Sequence, residues 1–155
     1  MPRTIFHLDL DAFFCAVEEL LDPSLKGKAF AVGGTPEGRG VIASCSYAAR
    51  SYGVRSAMPT IRAMRLCPHL IVISHHRGNY GERSDQVMAR LRNISPFVEQ
   101  ISIDEAFVDL SGLPNPGGIT RTLQDGIRRE LGLPCSAGIA SNKLVAKIAT
   151  EVGKK

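Results

Sequence analysis

Residues 101–112 read ISIDEAFVDLSG, a period-two alternation that sets two acids, Asp104 and Glu105, side by side in its middle. Such alternation requires a half-buried sheet. Adjacent carboxylates repel each other and weaken a strand. The segments FVEQIS and AFVDLS on either side therefore read as two strands of a hairpin, with the acids at or beside its tip.

A second alternation, TIFHLDL, puts Ile5, His7 and Asp9 on one face and Phe6 and Leu8 on the other. DAFFCAVEELLD follows at helical spacing, with Asp11 as the expected N-cap and a stop at Asp22-Pro23. KAFAVGG and GVIASCS are predicted strands, SYAARSYG and MPTIRAMRLCP short helices, and LIVIS a strand. NYGERSDQVMARLRNIS carries Tyr80, Val87, Met88, Leu91 and Ile94 on one helical stripe. GGITRTLQDGIRRELG is a helix stopping at Gly132, and PCSAGIA a strand. Ser141 is the expected cap of a last helix with Leu144, Val145, Ile148 and Val152 as its apolar positions. With residues of roughly 24 to 78 set aside, the order approximates β-α-β-β-α-β, an α+β ferredoxin-like arrangement with an insertion.

That topology lays the first strand beside the hairpin, so Asp9 can approach Asp104 and Glu105. A lone acid at a strand end is ordinarily just solvated. Three at one sheet end repel unless a cation neutralises them, and hard oxygen ligands suit Mg²⁺. Two such ions can serve phosphoryl transfer.

Other chemistries find less support. The chain has 155 residues, room for one domain or one domain with a small insertion, and 44% hydrophobic content without Trp is ordinary for a globular core. No apolar run is long enough to span a bilayer, and His7, Asp9 and Asp11 interrupt any signal-peptide character, so a cytoplasmic protein is expected. Cys15, Cys45, Cys67 and Cys135 are scattered without a C-x-x-C pair, as expected of reduced, buried thiols. His75 and His76 lack a third ligand at usable spacing and read as a solvated loop. The stretch GGTPEGRG has the glycine spacing of a phosphate loop. However, Arg39 and Gly40 stand where Lys and Ser or Thr are needed, and a strand follows, so a hairpin turn is expected. A net charge of +4 permits an anionic partner without demanding one.

Four blocks, DLDAFFCAVEELLDPSLKGKAFAVGG, SYAARSYGVRSAMP, SIDEAFVDLSG and GIASNKLVAKIATEVGKK, together resemble the Y-family, lesion-bypass DNA polymerases of the polymerase IV branch. They occur in family order and span nearly the whole chain. The resemblance implies a palm (1–23 and 79–155) with a fingers insertion (24–78), the thumb and little-finger domains being absent. It implies two Mg²⁺ ions held by Asp9, Asp104, Glu105 and the carbonyl of Leu10. It implies triphosphate contacts from the amides of Ala12 and Phe13, from Ser44, Tyr47 and Arg50 (the Y-x-x-R motif), and from Lys154. Phe14 falls at the family's steric gate against ribose.

Without the family, Tyr47 and Arg50 would read as a half-buried ring and an exposed cation, Phe14 as core, and Lys143, Lys147 and Lys154 as a solvated face. One departure is that Lys155, not proline, follows Lys154. The implied reaction joins a primer 3′-hydroxyl to the α-phosphate of a deoxynucleoside triphosphate on primer–template DNA, in translesion synthesis. A sliding clamp would be met only through regions outside this chain, and no membrane partner is expected. Two other readings are a module that binds Mg²⁺ and nucleotide without extending DNA, and a nucleotide cyclase. The Y-x-x-R and DLDAFF blocks argue against the cyclase.

Overall fold

The computed structural model describes residues 2–75 and 79–154; His76 and Lys155, singled out above, lie outside the described residues. Two compact units emerge, 1–11 with 80–155, and 12–79. In chain order, strand β1 (Ile5–Leu10) opens the first unit. The second holds α1 (Phe13–Leu21), β2 (Phe30–Gly33), β3 (Ile42–Cys45), α2 (Tyr47–Arg50), α3 (Thr60–Leu66) and β4 (Ile71–Ile73). The first resumes with α4 (Tyr80–Ile94), β5 (Val98–Ser102), β6 (Glu105–Asp109), α5 (Pro116–Gly126), β7 (Cys135–Ala140) and α6 (Lys143–Gly153).

The first unit is a four-stranded sheet in the order β5-β6-β1-β7, antiparallel throughout. With α4 and α5 as the crossovers, this is the expected β-α-β-β-α-β arrangement. Alternation divides the sheet into two unlike faces. Phe6, Leu8 and Leu10 on β1 share one face with Ala106 and Val108 on β6, all buried. Leu91 of α4 and Leu123 of α5 pack with Phe6 and Val108 there. The other face carries Ile5, His7 and Asp9 opposite Asp109, Phe107 and Glu105.

Helix α6 lies on that second face, against β7 and β1. The approach is close because position 138 has no side chain. A Cβ on Gly138 would stand 2.4 Å from the carbonyl oxygen of Ala146 and 2.6 Å from the amide nitrogen of Thr150. Ala146 and Thr150 are fully buried in the contact. Leu144, Val145, Ile148 and Val152, the apolar positions noted in the sequence, are instead 46–70% exposed. Small residues made the buried face because only they permit this separation.

The second unit is a three-stranded sheet, β3-β2-β4, in which β2 pairs antiparallel with β3 and parallel with β4. Ala31, Ile42, Cys45, Ala49, Ala63 and Cys67 are among its buried core, and α1 packs on β2 and β3. The glycine-rich segment is a hairpin connection. Its base is pinched so tightly that a Cβ on Gly40 would meet the carbonyl carbon of Gly34 at 2.4 Å.

Two helix caps differ from expectation. Helix α1 is preceded by Ala12 in the left-handed region (φ 44°), with no side chain capping it. Asp11 instead accepts the Ser136 hydroxyl at 2.8 and 3.0 Å within the first unit. Asn142, not Ser141, caps α6 by accepting from the amide of Val145. The helix after β6 is α-helical only to Gly126, continues as a π-turn over Ile127–Leu131, and ends at Gly132 with φ 70°. No described helix is long and apolar enough to cross a membrane.

Two outcomes are expected. Gly138→Ala forces α6 off β7 and costs about 3 kcal/mol in urea unfolding, whereas Ile148→Gln changes stability by no more than about 0.5 kcal/mol. All four cysteines are free and buried. Burial pushes the Cys15 thiol up to about 12 and Cys135 up to about 11. Neither forms appreciable thiolate near pH 8, so iodoacetamide labelling of both should require denaturant; rapid labelling of the native chain would contradict the packing.

Candidate active site

Strands β1 and β6 bring the sequence-predicted acids to one end of the first unit's sheet. The hairpin tip is the two-residue turn at Ile103 and Asp104, and Glu105 is the first residue of β6. Asp9 and Glu105 are direct cross-strand partners. The amide of Leu10 donates to the carbonyl of Asp104 at 2.9 Å, which ties the tip to the end of β1.

Each carboxylate has a neighbour. Asp9 takes an ammonium hydrogen bond from Lys154 at 2.5 Å. Asp104 accepts from the Ser102 hydroxyl at 2.8 Å. Glu105 receives both His7 Nε2, at 2.7 Å, and Lys147 Nζ, at 3.1 Å, on Oε1. Lys143 pairs with Glu99 on β5. The lysines of α6 are thus not a solvated row. They lie over the sheet, each on an acid from a different strand.

These contacts set the electrostatics. Burial raises the Asp9 carboxyl; the Lys154 hydrogen bond and charge pull it back, while the charges of Asp104 and Asp11 push it up again, leaving it above its ordinary value. Burial also works to raise Glu105. There the hydrogen bonds from His7 and Lys147, with the Lys147 charge, outweigh it, and Glu105 ends below the usual range. Burial lowers Lys154, but Asp9 more than offsets it by hydrogen bond and charge, and its affinity for a proton rises.

Among the described residues, no three of His, Cys, Asp and Glu stand close enough in this arrangement to enclose an ion. The donor chemistry nevertheless suits a hard divalent cation: the three acids lie at adjoining strand ends, and burial, with the charges of Asp104 and Asp11, holds Asp9 above its ordinary value. Asp9, Asp104 and Glu105 would be its protein ligands, with the Leu10 carbonyl at the end of β1.

The remaining candidates lie in the second unit, except Lys154. Phe13 is buried whereas Phe14 is only half-buried, their rings 5.6 Å apart, so Phe14 is not the core member of the pair. Ala12 and Phe13 stand where α1 begins without a side-chain cap. The Arg50 guanidinium stacks 4.9 Å from the centre of the exposed Tyr47 ring, as spacing on α2 allows. Ser44 is buried on β3, and its hydroxyl reaches no oxygen or nitrogen partner among the described residues; the Cys15 thiol is beside it.

Sequence reasoning gave no part in the site to His7, Thr150, Asp11, Ser136 or the pairing of Lys147. Only His7 carried a signal, since alternation sets it on the face of Asp9.

An antiparallel β-α-β-β-α-β sheet with carboxylates at one end of its two central strands is a palm-type α+β domain. The chain belongs to the impB/mucB/samB family, the Y-family of its sequence resemblance, whose pattern matches residues 8–151. It is 48% identical over 153 residues to DNA polymerase IV of Pseudomonas paraeruginosa (strain DSM 24068 / PA7), covering 96% of this chain and 44% of that one. With DNA polymerase IV of Alkalilimnicola ehrlichii (strain ATCC BAA-1101 / DSM 17681 / MLHE-1) it shares 44% over 156 residues, covering 98% and 44%. Among solved structures, the insertion ternary complex of Dbh DNA polymerase matches with TM-score 0.90 at 31% identity, over 98% of this chain and 46% of that one. DinB from Sulfolobus solfataricus matches with TM-score 0.90 at 31% identity, over 96% and 45%. The chain spans less than half the length of these relatives.

Lys154→Met removes the hydrogen bond and charge that pull Asp9 down. The Asp9 carboxyl is then expected to titrate still higher than in the wild type, read by ¹³C carboxyl NMR in metal-free buffer. An unchanged midpoint would show that the pair does not form in solution.

Proposed function

We propose that this chain is the palm and fingers portion of a translesion DNA polymerase, extending a primer 3′-hydroxyl with deoxynucleotides copied from template DNA. The observation that carries this is the union of family membership with Asp9 and Glu105 cross-strand at the sheet end. In this reading residues 1–23 and 79–155 form the palm and 24–78 the fingers, although α1 is compact with the second unit. The location would be cytoplasmic.

Asp9, Asp104 and Glu105, with the Leu10 carbonyl, would hold two Mg²⁺ ions. When bound, these supply charge stabilisation to the attacking and leaving oxygens of an in-line displacement. The protein's own groups do the rest. Tyr47 donates a hydroxyl and Arg50 a planar fork to phosphate oxygens. The buried Ser44 hydroxyl supplies a hydrogen bond that no described nitrogen or oxygen uses. The amides of Ala12 and Phe13 donate at the uncapped start of α1. Lys154 offers its ammonium to the triphosphate, exchanging Asp9 for phosphate. Phe14 fills the volume a ribose 2′-hydroxyl needs.

A second reading is a module that takes up Mg²⁺ and deoxynucleotide but does not extend DNA. Its ground is that the acids and the triphosphate candidates concern Mg²⁺ and nucleotide, whereas holding DNA depends on many phosphate contacts. Primer extension at low salt with excess protein and Mg²⁺ separates the two. Extension that is abolished in the double variant Asp104→Ala, Glu105→Ala supports the polymerase. Nucleotide binding without extension supports the module, and loss of both overturns the site.

A further inference from the structure

His7 is 1% exposed on the central strand β1, and both of its ring nitrogens are engaged. Nε2 lies 2.7 Å from Glu105 Oε1, and Nδ1 lies 2.7 Å from the hydroxyl of Thr150, itself fully buried on α6. The Phe107 ring, from the residue paired with His7 across β6, tilts against the imidazole at a centroid distance of 4.9 Å. The ring is therefore held at two nitrogens and one face.

A carboxylate only accepts, so the bond to Glu105 requires the proton on Nε2. Thr150 can meet Nδ1 only because α6 sits so near the sheet, and Gly138, cross-strand from His7 on β7, leaves that room. Both Nε2 and Lys147 fall on the same oxygen, Oε1. The carboxylate is thus steered through one oxygen, and no described side chain hydrogen-bonds Oε2.

We propose that His7 and Thr150 are positioning residues: the chain Thr150–His7–Glu105 fixes the Glu105 carboxylate so that Oε2 is presented to a divalent cation. The inference rests on the metal-binding reading of Asp9, Asp104 and Glu105. A buried imidazole with a hydrogen bond at each nitrogen orients its partner more stiffly than the flexible Lys147 stem, which is half-exposed.

The test is Mn²⁺ binding by the 155-residue chain, followed by electron paramagnetic resonance, alongside thermal unfolding in metal-free buffer. His7→Leu is expected to weaken Mn²⁺ about tenfold, and His7→Gln, whose amide nitrogen can replace Nε2 as donor, to stay within about twofold of wild type. Thr150→Val should weaken binding in the same direction, with Thr150→Ser restoring it. A purely structural role would lower metal-free stability alike in the Leu and Gln variants and would not be rescued selectively. If His7→Leu does not fold, the Thr150 pair decides alone. Wild-type binding in both His7→Leu and Thr150→Val, while Asp9→Asn and Glu105→Gln abolish it, overturns the positioning role and leaves the metal reading standing. Wild-type binding in Asp9→Asn and Glu105→Gln removes the metal reading and this inference with it.

Discussion

The first unit depends on one strand having two incompatible faces. β1 lies in the middle of its sheet, paired on both edges, and buries Phe6, Leu8 and Leu10 on one side while holding His7 and Asp9 on the other. A slip of one residue would exchange the faces, placing a carboxylate and an imidazole in the apolar layer under α4 and α5. The penalty for burying those groups unpaired is several kcal/mol. Register and acid placement are thus one decision. The apolar face secures the position of Asp9 relative to Glu105, since cross-strand pairing sets both.

The polar face would be unstable without compensation, and α6 provides it. Lys143, Lys147 and Lys154 lie along the helix and meet Glu99, Glu105 and Asp9 on three successive strands. Surface pairs of this kind are individually weak. Their value here is to balance an acidic end while remaining exchangeable, because each ammonium is partly exposed. Beneath them the Thr150–His7–Glu105 contacts are of a different kind: short, centred on the buried His7 and dependent on the contact of α6 with Gly138. The sheet end therefore combines exchangeable charge partners with one fixed anchor.

The second unit is organised around β2, with small residues, Ala31, Ala49 and Ala63, letting short elements pack closely. Its polar candidates are presented in contrasting ways. Tyr47 and Arg50 stack on one another at the surface, whereas the Ser44 hydroxyl is buried without an oxygen or nitrogen partner among the described residues. Both features lie within residues 8–151, the span that the impB/mucB/samB family pattern matches.

Much of this was legible in the sequence because it depends on local periodicity. Alternation in TIFHLDL and around Asp104–Glu105 determined the strands, their faces and the acid-bearing turn; proline and glycine marked most element ends. The three acids were recognisable as a set from the topology that alternation implied, whereas Tyr47 with Arg50 was recognisable only through the family blocks. What tertiary structure decided are contacts between residues remote in sequence. Asp11 looked like a helix cap but is held by Ser136, 125 residues away. Thr150 and His7 are 143 apart. The sequence marked Leu144, Val145, Ile148 and Val152 as the apolar positions of α6, yet Ala146 and Thr150 form its buried face. Periodicity tells which residues share a side of a helix, but how near the helix can come is set by the partner surface. Here that surface is a glycine, and only a small face can close on it.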